Sequence, residues 1–158
     1  MKYDHNEYEQ MVLDLNISRS KKIILCEALA AAIITFIAIS LIYKDYAFGA
    51  ILALLVSLVS YIFAKKTILD SAKKANFIKN INYIEQTISE DKIIEKVVDY
   101  EGLENIGEYY FKDMLYTKED NKNLYLYLNK NAAVIVAKNK IENINGFKEI
   151  LISHNLLK

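Results

Sequence analysis

The sequence predicts a membrane-embedded helical hairpin joined to a small antiparallel α+β domain. The hairpin is predicted by residues 23–43 and 46–64, which are almost wholly apolar and are separated only by Lys44 and Asp45. The domain is predicted because apolar residues after residue 80 recur with a period close to two, and because the final segment has helical spacing. The two parts together account for most of the chain.

Charge and composition exclude several classes of function. The 158 residues include 20 basic and 20 acidic side chains, whereas a nucleic-acid-binding domain normally carries a basic excess. One Cys and two His cannot build a disulfide framework or a Cys/His metal site. The sequence also has no phosphate-binding, dinucleotide, nucleophile-elbow or zinc motif. We therefore expect no catalytic residue, no cofactor, no metal and no nucleic-acid partner.

Each apolar run is long enough to cross a bilayer. About 20 residues at 1.5 Å per residue give a helix about 30 Å long, the thickness of the hydrocarbon core. A buried helical pair of a soluble protein is the alternative, but such helices normally keep a polar face, and these runs have none. The first run continues well past the small residues Ala28 and Ala30, so we do not expect a cleaved signal peptide.

Basic residues flank the two runs on one side only, and the hairpin tip offers Lys44 alone. They are Lys2, Arg19, Lys21 and Lys22 before the first run, and Lys65, Lys66, Lys73, Lys74 and Lys79 after the second. The positive-inside rule then places both termini in the cytoplasm, in a multi-pass protein of the cell membrane. Lys65, Lys66, Lys73 and Lys74 are also candidate contacts for anionic lipid headgroups, unless they only set the topology.

Two further features lie within the runs. Glu27 is a candidate intramembrane polar site, although its shallow position would also let it reach interfacial water. Gly49, Ala53 and Ser57 lie four residues apart and form a stripe of small residues. Small residues let helices approach closely, so this stripe would pack either within the hairpin or between two copies of the chain.

The chain divides into four parts. Residues 1–22 are a cytoplasmic N-terminal arm, residues 23–64 the transmembrane hairpin and residues 65–80 a juxtamembrane helix. The cytoplasmic domain occupies residues 81–158, with strands predicted over residues 81–89, 92–100, 101–106, 109–117, 123–129 and 132–137. Gly107 is the predicted break after the third strand.

A closing helix, capped by Asn143 or Asn145, would plug a strongly bent sheet or half-open barrel. The shared core is predicted to contain Leu124, Leu126, Leu128, Val134, Val136, Phe147, Ile150 and Leu151.

Tyrosine is the most distinctive side chain of the domain, since the chain has twelve Tyr and no Trp. Tyr125 and Tyr127 alternate with leucines predicted to lie in the core, so they should face away from it. Together with Tyr116 they form a candidate surface for a protein partner or a second copy. The alternatives are a tyrosine face covered by the N-terminal arm or juxtamembrane helix, or an ordinary cross-strand pair.

Three segments carry a family resemblance: residues 110–114 (YFKDM), 123–128 (NLYLYL) and 134–138 (VIVAK), followed by the closing helix with Phe147. In this order, after a polar arm and two apolar helices, they resemble the YcxB-like membrane proteins. Phe111 and Met114 depart from the family pattern, and Ala137-Lys138 replaces its proline after the final strand. The resemblance implies a pleckstrin-homology-like (PH-like) fold for the domain, and the family has no assigned activity.

We therefore expect a membrane-anchored cytoplasmic interaction module that is not an enzyme and that binds a protein partner through its β domain. One alternative is a sensor of anionic lipids or of a small ligand. Another is a small transport or immunity-type membrane protein centred on Glu27.

Overall fold

The structure, a computed structural model, describes residues 1–74 and 79–157. The chain divides into two units. One is Leu13–Lys74, and the other combines Met1–Val12 with the chain from Ala75 onward.

The helical unit is built from two long helices. Helix α1 spans His5–Tyr43, with its first two turns belonging to the other unit, and α2 spans Tyr46–Lys73. At 1.5 Å per residue they are about 58 Å and about 42 Å long. Both are long and apolar enough to cross a membrane. The predicted juxtamembrane helix continues α2 as far as Lys73, and residues 75–78 of that prediction lie outside the described residues.

A tight turn joins the helices. Lys44 has a φ of 52°, in the left-handed region, and this reverses the chain within two residues. Asp45 then caps α2, because its Oδ1 accepts a hydrogen bond from the Phe48 N–H at 3.0 Å. A polar pair with these two properties explains why the hairpin needs no longer loop.

Small residues bring the two helices together. Gly49 and Ala53 are the buried residues of α2. A Cβ atom at Gly49 would lie 2.8 Å from Ser40 Oγ on α1, closer than such atoms pack. The stripe that was predicted from the sequence thus packs within the hairpin at these positions. Most large apolar side chains of both helices are exposed instead.

The β unit contains two antiparallel sheets and a closing helix. The first sheet has the order β1-β2-β3-β4, with strands Lys2–Asp4, Ile81–Ile88, Lys92–Asp99 and Glu104–Tyr110. The second has the order β5-β6-β7, with strands Tyr116–Glu119, Asn123–Tyr127 and Ala133–Ala137. Helix α3 spans Ile144–Ser153. The small antiparallel domain with a C-terminal helix is therefore confirmed.

The N-terminal residues are part of this sheet rather than only a lead into the helices. Strand β1 pairs with β2, with Tyr3 opposite Ile84, and both of these side chains are buried. Three residues of strand are too few to give a readable alternation, so the sequence did not reveal them. The whole helical hairpin is consequently inserted between two neighbouring strands.

Two predicted boundaries are wrong. Gly107 lies inside β4 and does not end it. The preceding turn is instead fixed by Asp99, whose Oδ1 accepts hydrogen bonds from the N–H groups of Glu101 and Leu103, and by Gly102 with a φ of 82°. The predicted strand over residues 109–117 is divided by a short 3-10 turn at Phe111–Asp113.

The core forms largely as predicted. Leu124, Leu126, Val134, Val136, Phe147 and Leu151 are buried in one cluster, together with Ile93, Phe111, Met114 and Leu156. Leu128 and Ile150 are only partly buried at its edge. Asn143 caps α3, because its Oδ1 accepts a hydrogen bond from the Gly146 N–H at 2.9 Å. Of the two predicted caps, the structure uses Asn143.

Candidate functional surfaces

The predicted tyrosine surface is not available to a partner. Tyr125 is 1% exposed and Tyr127 is 2% exposed, which contradicts their assignment to an interaction surface. The Tyr125 hydroxyl donates to Asp120 Oδ2 at 2.6 Å and accepts from Asn123 Nδ2 at 3.2 Å. The Tyr127 ring stacks on Tyr116, its cross-strand neighbour, with centroids 4.6 Å apart. Tyr116 alone keeps substantial exposure.

The first sheet contacts β7, the strand next to the one that carries these tyrosines. Tyr3 of β1 reaches β7, because its hydroxyl accepts a hydrogen bond from the Ala137 N–H at 3.3 Å. Gln86 of β2 donates from Nε2 to the Ile135 carbonyl of the same strand at 2.9 Å. Strand β6 is thus buried on both faces. An alternating pattern distinguishes two faces of a strand, but it does not tell which of them faces solvent.

A polar cluster that the sequence analysis missed joins the two sheets. Gln86 and Glu95 are cross-strand partners on β2 and β3, and both are buried. Gln86 Nε2 donates to Glu95 Oε2 at 2.7 Å as well as to the carbonyl of Ile135. The sequence gives no signal for this pair, because both strands carry several other polar residues.

Burial controls the ionisation of this cluster. It raises the pKa of Glu95, and the hydrogen bond from Gln86 opposes that rise. Burial also raises the pKa of Tyr3 to about 12 and that of Tyr8 well above its ordinary value. Glu95 adds to both shifts by its charge. The arrangement is that of a structural link between sheets, with a carboxylate that is stabilised in its protonated form.

Asp120 organises the turn between β5 and β6. Although burial raises its pKa, hydrogen bonds from Tyr125 and from the N–H groups of Asn123 and Lys122 hold it below the ordinary value. Across residues 1–74 and 79–157, no group of three or more His, Cys, Asp or Glu side chains is arranged to hold a metal ion. The hydrogen bonds of Asp120 hold the β5–β6 turn together.

An exposed apolar patch lies at one edge of the first sheet. Tyr100, Leu103 and Ile106, on and beside the β3–β4 turn, are 62%, 66% and 61% exposed. Strand β4 is an outer strand of the first sheet, so its free edge continues the patch. In the sequence these residues are scattered among acidic and polar neighbours, so no local pattern marks them as a surface.

The remaining candidate residues are on the helical unit. Glu27 is exposed on α1, and among the described residues it has no ion-pair partner. Lys65, Lys66, Lys73 and Lys74 are exposed along or just after α2.

Comparison with known proteins gives no relative: no family model, no curated protein and no solved structure matches the chain. The class of protein is defined by the fold itself. It combines two helices long and apolar enough to span a membrane with a small antiparallel sheet domain and a C-terminal helix.

Proposed function

We propose that this chain is a two-pass protein of the cell membrane whose hairpin anchors a cytoplasmic, non-enzymatic interaction module. The observation that carries the proposal is the insertion of the hairpin between β1 and β2, which are hydrogen-bonded neighbours. Paired strands must lie on the same side of a membrane. A chain that leaves β1 and returns in β2 therefore crosses an even number of times, and two crossing helices satisfy this condition.

The surface of the hairpin supports insertion. Its large apolar side chains are mostly exposed, whereas a buried helical pair of a soluble protein would cover them. The basic residues lie at the end of the hairpin far from Lys44, which favours a cytoplasmic β domain.

The arrangement of the domain supports the family resemblance. Four antiparallel strands, then three, then a closing helix are compatible with the PH-like plan that the YcxB-like resemblance implies. We infer that the chain belongs to that group of proteins. Because a fold does not determine a function, the interaction role rests on the surfaces of this chain.

We propose Tyr100, Leu103 and Ile106 as the surface that binds a protein partner, in place of the buried Tyr125 and Tyr127. The cores of protein interfaces are apolar, enriched in aromatic side chains and depleted of charged ones, and these three residues have that character. The free edge of β4 also offers unpaired backbone groups to an added strand. Binding to a second copy of the chain would use the same surface.

Cysteine labelling tests the topology. In a Cys26→Ser background, we would place single cysteines at Lys44 in the hairpin turn and at Lys130 in the β6–β7 turn. A membrane-impermeant maleimide added to intact cells should label Lys44→Cys, and it should label Lys130→Cys only after permeabilisation. Labelling of Lys130→Cys in intact cells would contradict a cytoplasmic domain.

Site-specific photo-cross-linking tests the interaction surface. A photoreactive residue at Leu103 should give a defined cross-linked species in cells, and Ile106→Ser should weaken it. Leu115 is the matched control, because it is similarly exposed but lies beside the second sheet. Equal products from both positions, or none from Leu103, would contradict the proposed surface.

A second candidate function is recognition of anionic lipids. It is favoured by the exposure of Lys65, Lys66, Lys73 and Lys74, which form no ion pair among the described residues. If lipid composition controls the protein, the cross-linked species from Leu103 should change with the anionic lipid content of the membrane.

A further inference from the structure

We propose that four lysines of the helical hairpin, Lys21 and Lys22 on α1 and Lys65 and Lys66 on α2, form one basic collar that binds the phosphate groups of anionic lipids. The proposal rests on the membrane insertion proposed above. It adds the two α1 lysines to the candidate headgroup contacts and removes Lys73 and Lys74 from them.

The hairpin geometry brings the four lysines to one level. Two antiparallel helices that leave a shared turn rise equally, by about 1.5 Å per residue. Lys22 and Lys66 are each 22 residues from Lys44, and Lys21 and Lys65 are 23 and 21 residues from it. The close approach of Gly49 to Ser40 fixes this register near the turn, since these residues are five and four positions from Lys44.

This level coincides with a membrane boundary. Twenty-two residues of helix extend about 33 Å, whereas the hydrocarbon core of a bilayer is about 30 Å thick. With the Lys44 turn at one surface of the bilayer, the collar lies among the headgroups of the other surface. Lipid phosphates are the anions present at that depth.

The four side chains are free to bind an external anion. All four are exposed, whereas Ile24 and Ala28 are buried. Within the part of the chain that the structure describes, none of the four lysines forms an ion pair. Two carboxylates, Glu27 and Asp70, lie within about five residues of the collar, so its local charge stays positive.

Lys73 and Lys74 are too far along α2 to share this role. They lie seven or more residues beyond Lys66, which corresponds to about 11 Å of helix. That distance exceeds the Debye length of about 8 Å at physiological ionic strength, within which the attraction of a charged surface is felt. They therefore provide a control pair of lysines at the end of α2, outside the collar.

The absence of tryptophan makes a direct measurement possible. Phe63→Trp places the only indole on an exposed position beside Lys65, and Tyr46→Trp places it on an exposed position beside the hairpin turn. We would reconstitute the full chain in nanodiscs that contain both phosphatidylcholine and phosphatidylglycerol. In one sample the phosphatidylcholine is brominated, and in the other the phosphatidylglycerol is. Nanodiscs expose both bilayer faces, so the orientation of insertion does not affect the result.

Brominated phosphatidylglycerol should quench Phe63→Trp more strongly than brominated phosphatidylcholine, with about a fivefold preference that falls in high salt. Tyr46→Trp should show no preference. Replacing all four collar lysines by Gln should remove the preference at Phe63→Trp, and the Lys73→Gln, Lys74→Gln pair should retain it.

Two results would overturn the collar. One is a preference that survives the fourfold substitution, and the other is an equal preference at both tryptophan positions. A lack of quenching by either brominated lipid would instead overturn the membrane anchor, and with it the collar. The two failures are therefore distinguishable in one set of samples.

Discussion

Tyr125 supports the β5–β6 turn through Asp120, a role that its position in an alternating strand does not predict. Its ring is buried and its hydroxyl is bound to Asp120, which in turn caps the N–H groups of Lys122 and Asn123. Loss of the ring therefore creates a cavity, and loss of the hydroxyl alone leaves a carboxylate with fewer hydrogen bonds.

Truncation of Tyr125 should consequently act on stability. We expect Tyr125→Ser to lower the free energy of unfolding of the β domain by about 3–5 kcal/mol, as other large-to-small core substitutions do. Tyr125→Phe should lower it by about 1–2 kcal/mol, because one buried hydrogen bond is removed. Chemical denaturation followed by tyrosine fluorescence measures both. If Tyr125→Ser instead weakened partner binding and left the free energy of unfolding unchanged, Tyr125 would belong to an interaction surface.

Glu95 gives the stability of the β domain a pH dependence. Its pKa is raised in the folded state because the carboxylate is buried, so the folded protein binds a proton more tightly than the unfolded chain does. Below the pKa that Glu95 has in the unfolded chain, Glu95 is protonated in both states and does not lower the stability of the folded protein. As the pH rises through the folded pKa, the buried side chain ionises and stability falls.

Glu95→Gln should remove this dependence. Thermal unfolding of the full chain in detergent should show that the native protein loses stability as the pH rises from the unfolded-state pKa of Glu95 through its higher folded-state pKa, whereas the stability of Glu95→Gln changes little over that range. Glu104→Gln on β4 is the control, because that carboxylate forms an exposed ion pair with Lys96. An unchanged pH profile in Glu95→Gln would show that Glu95 does not titrate as a buried group.

At the scale of elements, the close contact of α1 and α2 depends on Gly49. A larger side chain there meets Ser40 Oγ, so Gly49→Leu should separate the helices near the turn. Ala50→Leu is the matched control, since Ala50 is the next residue of α2 and is exposed. Cysteines engineered across the hairpin should cross-link less efficiently in Gly49→Leu only. Equal cross-linking in both variants would contradict the packing.

The sequence predicts where helices and strands lie better than it predicts what packs against them. The two apolar runs predict α2 and the part of α1 from residue 23 onward, whereas α1 begins at His5, within the predicted N-terminal arm. Strands β2, β3, β6 and β7 lie close to their predicted ranges, because uninterrupted patterns dominate local structure. The core around Leu124, Phe147 and Leu151 follows from the same patterns. Strand β1 and the cover over Tyr127 could not be predicted, because they depend on pairing between distant segments.

The same limit applies to the candidate surfaces. The lysines and Glu27 are exposed as their charge suggests, but the patch at Leu103 becomes visible only when the β3–β4 turn is placed at the edge of a sheet. Local composition identifies charged helical surfaces. Exposure of an apolar side chain depends on which elements pack over it.

At the scale of the whole molecule, the central feature is a helical hairpin inserted between two paired strands. The first three residues of the sheet and the rest of the domain are separated in sequence by both helices, yet Lys2 lies opposite Glu85. This pairing holds the first residues of the chain and the strands that follow the helices in one sheet. Any change that displaces β1 would also move the first residues of α1, because α1 begins at the residue after β1.

The most direct test is a disulfide between β1 and β2 in the native membrane. In a Cys26→Ser background, Lys2→Cys and Glu85→Cys face each other at a spacing that a disulfide can bridge. A membrane-permeable oxidant should join them within one chain, and Lys2→Cys with Lys130→Cys should not react. Failure of the first pair to form, or its formation only between two chains, would contradict the insertion of the hairpin into a single sheet.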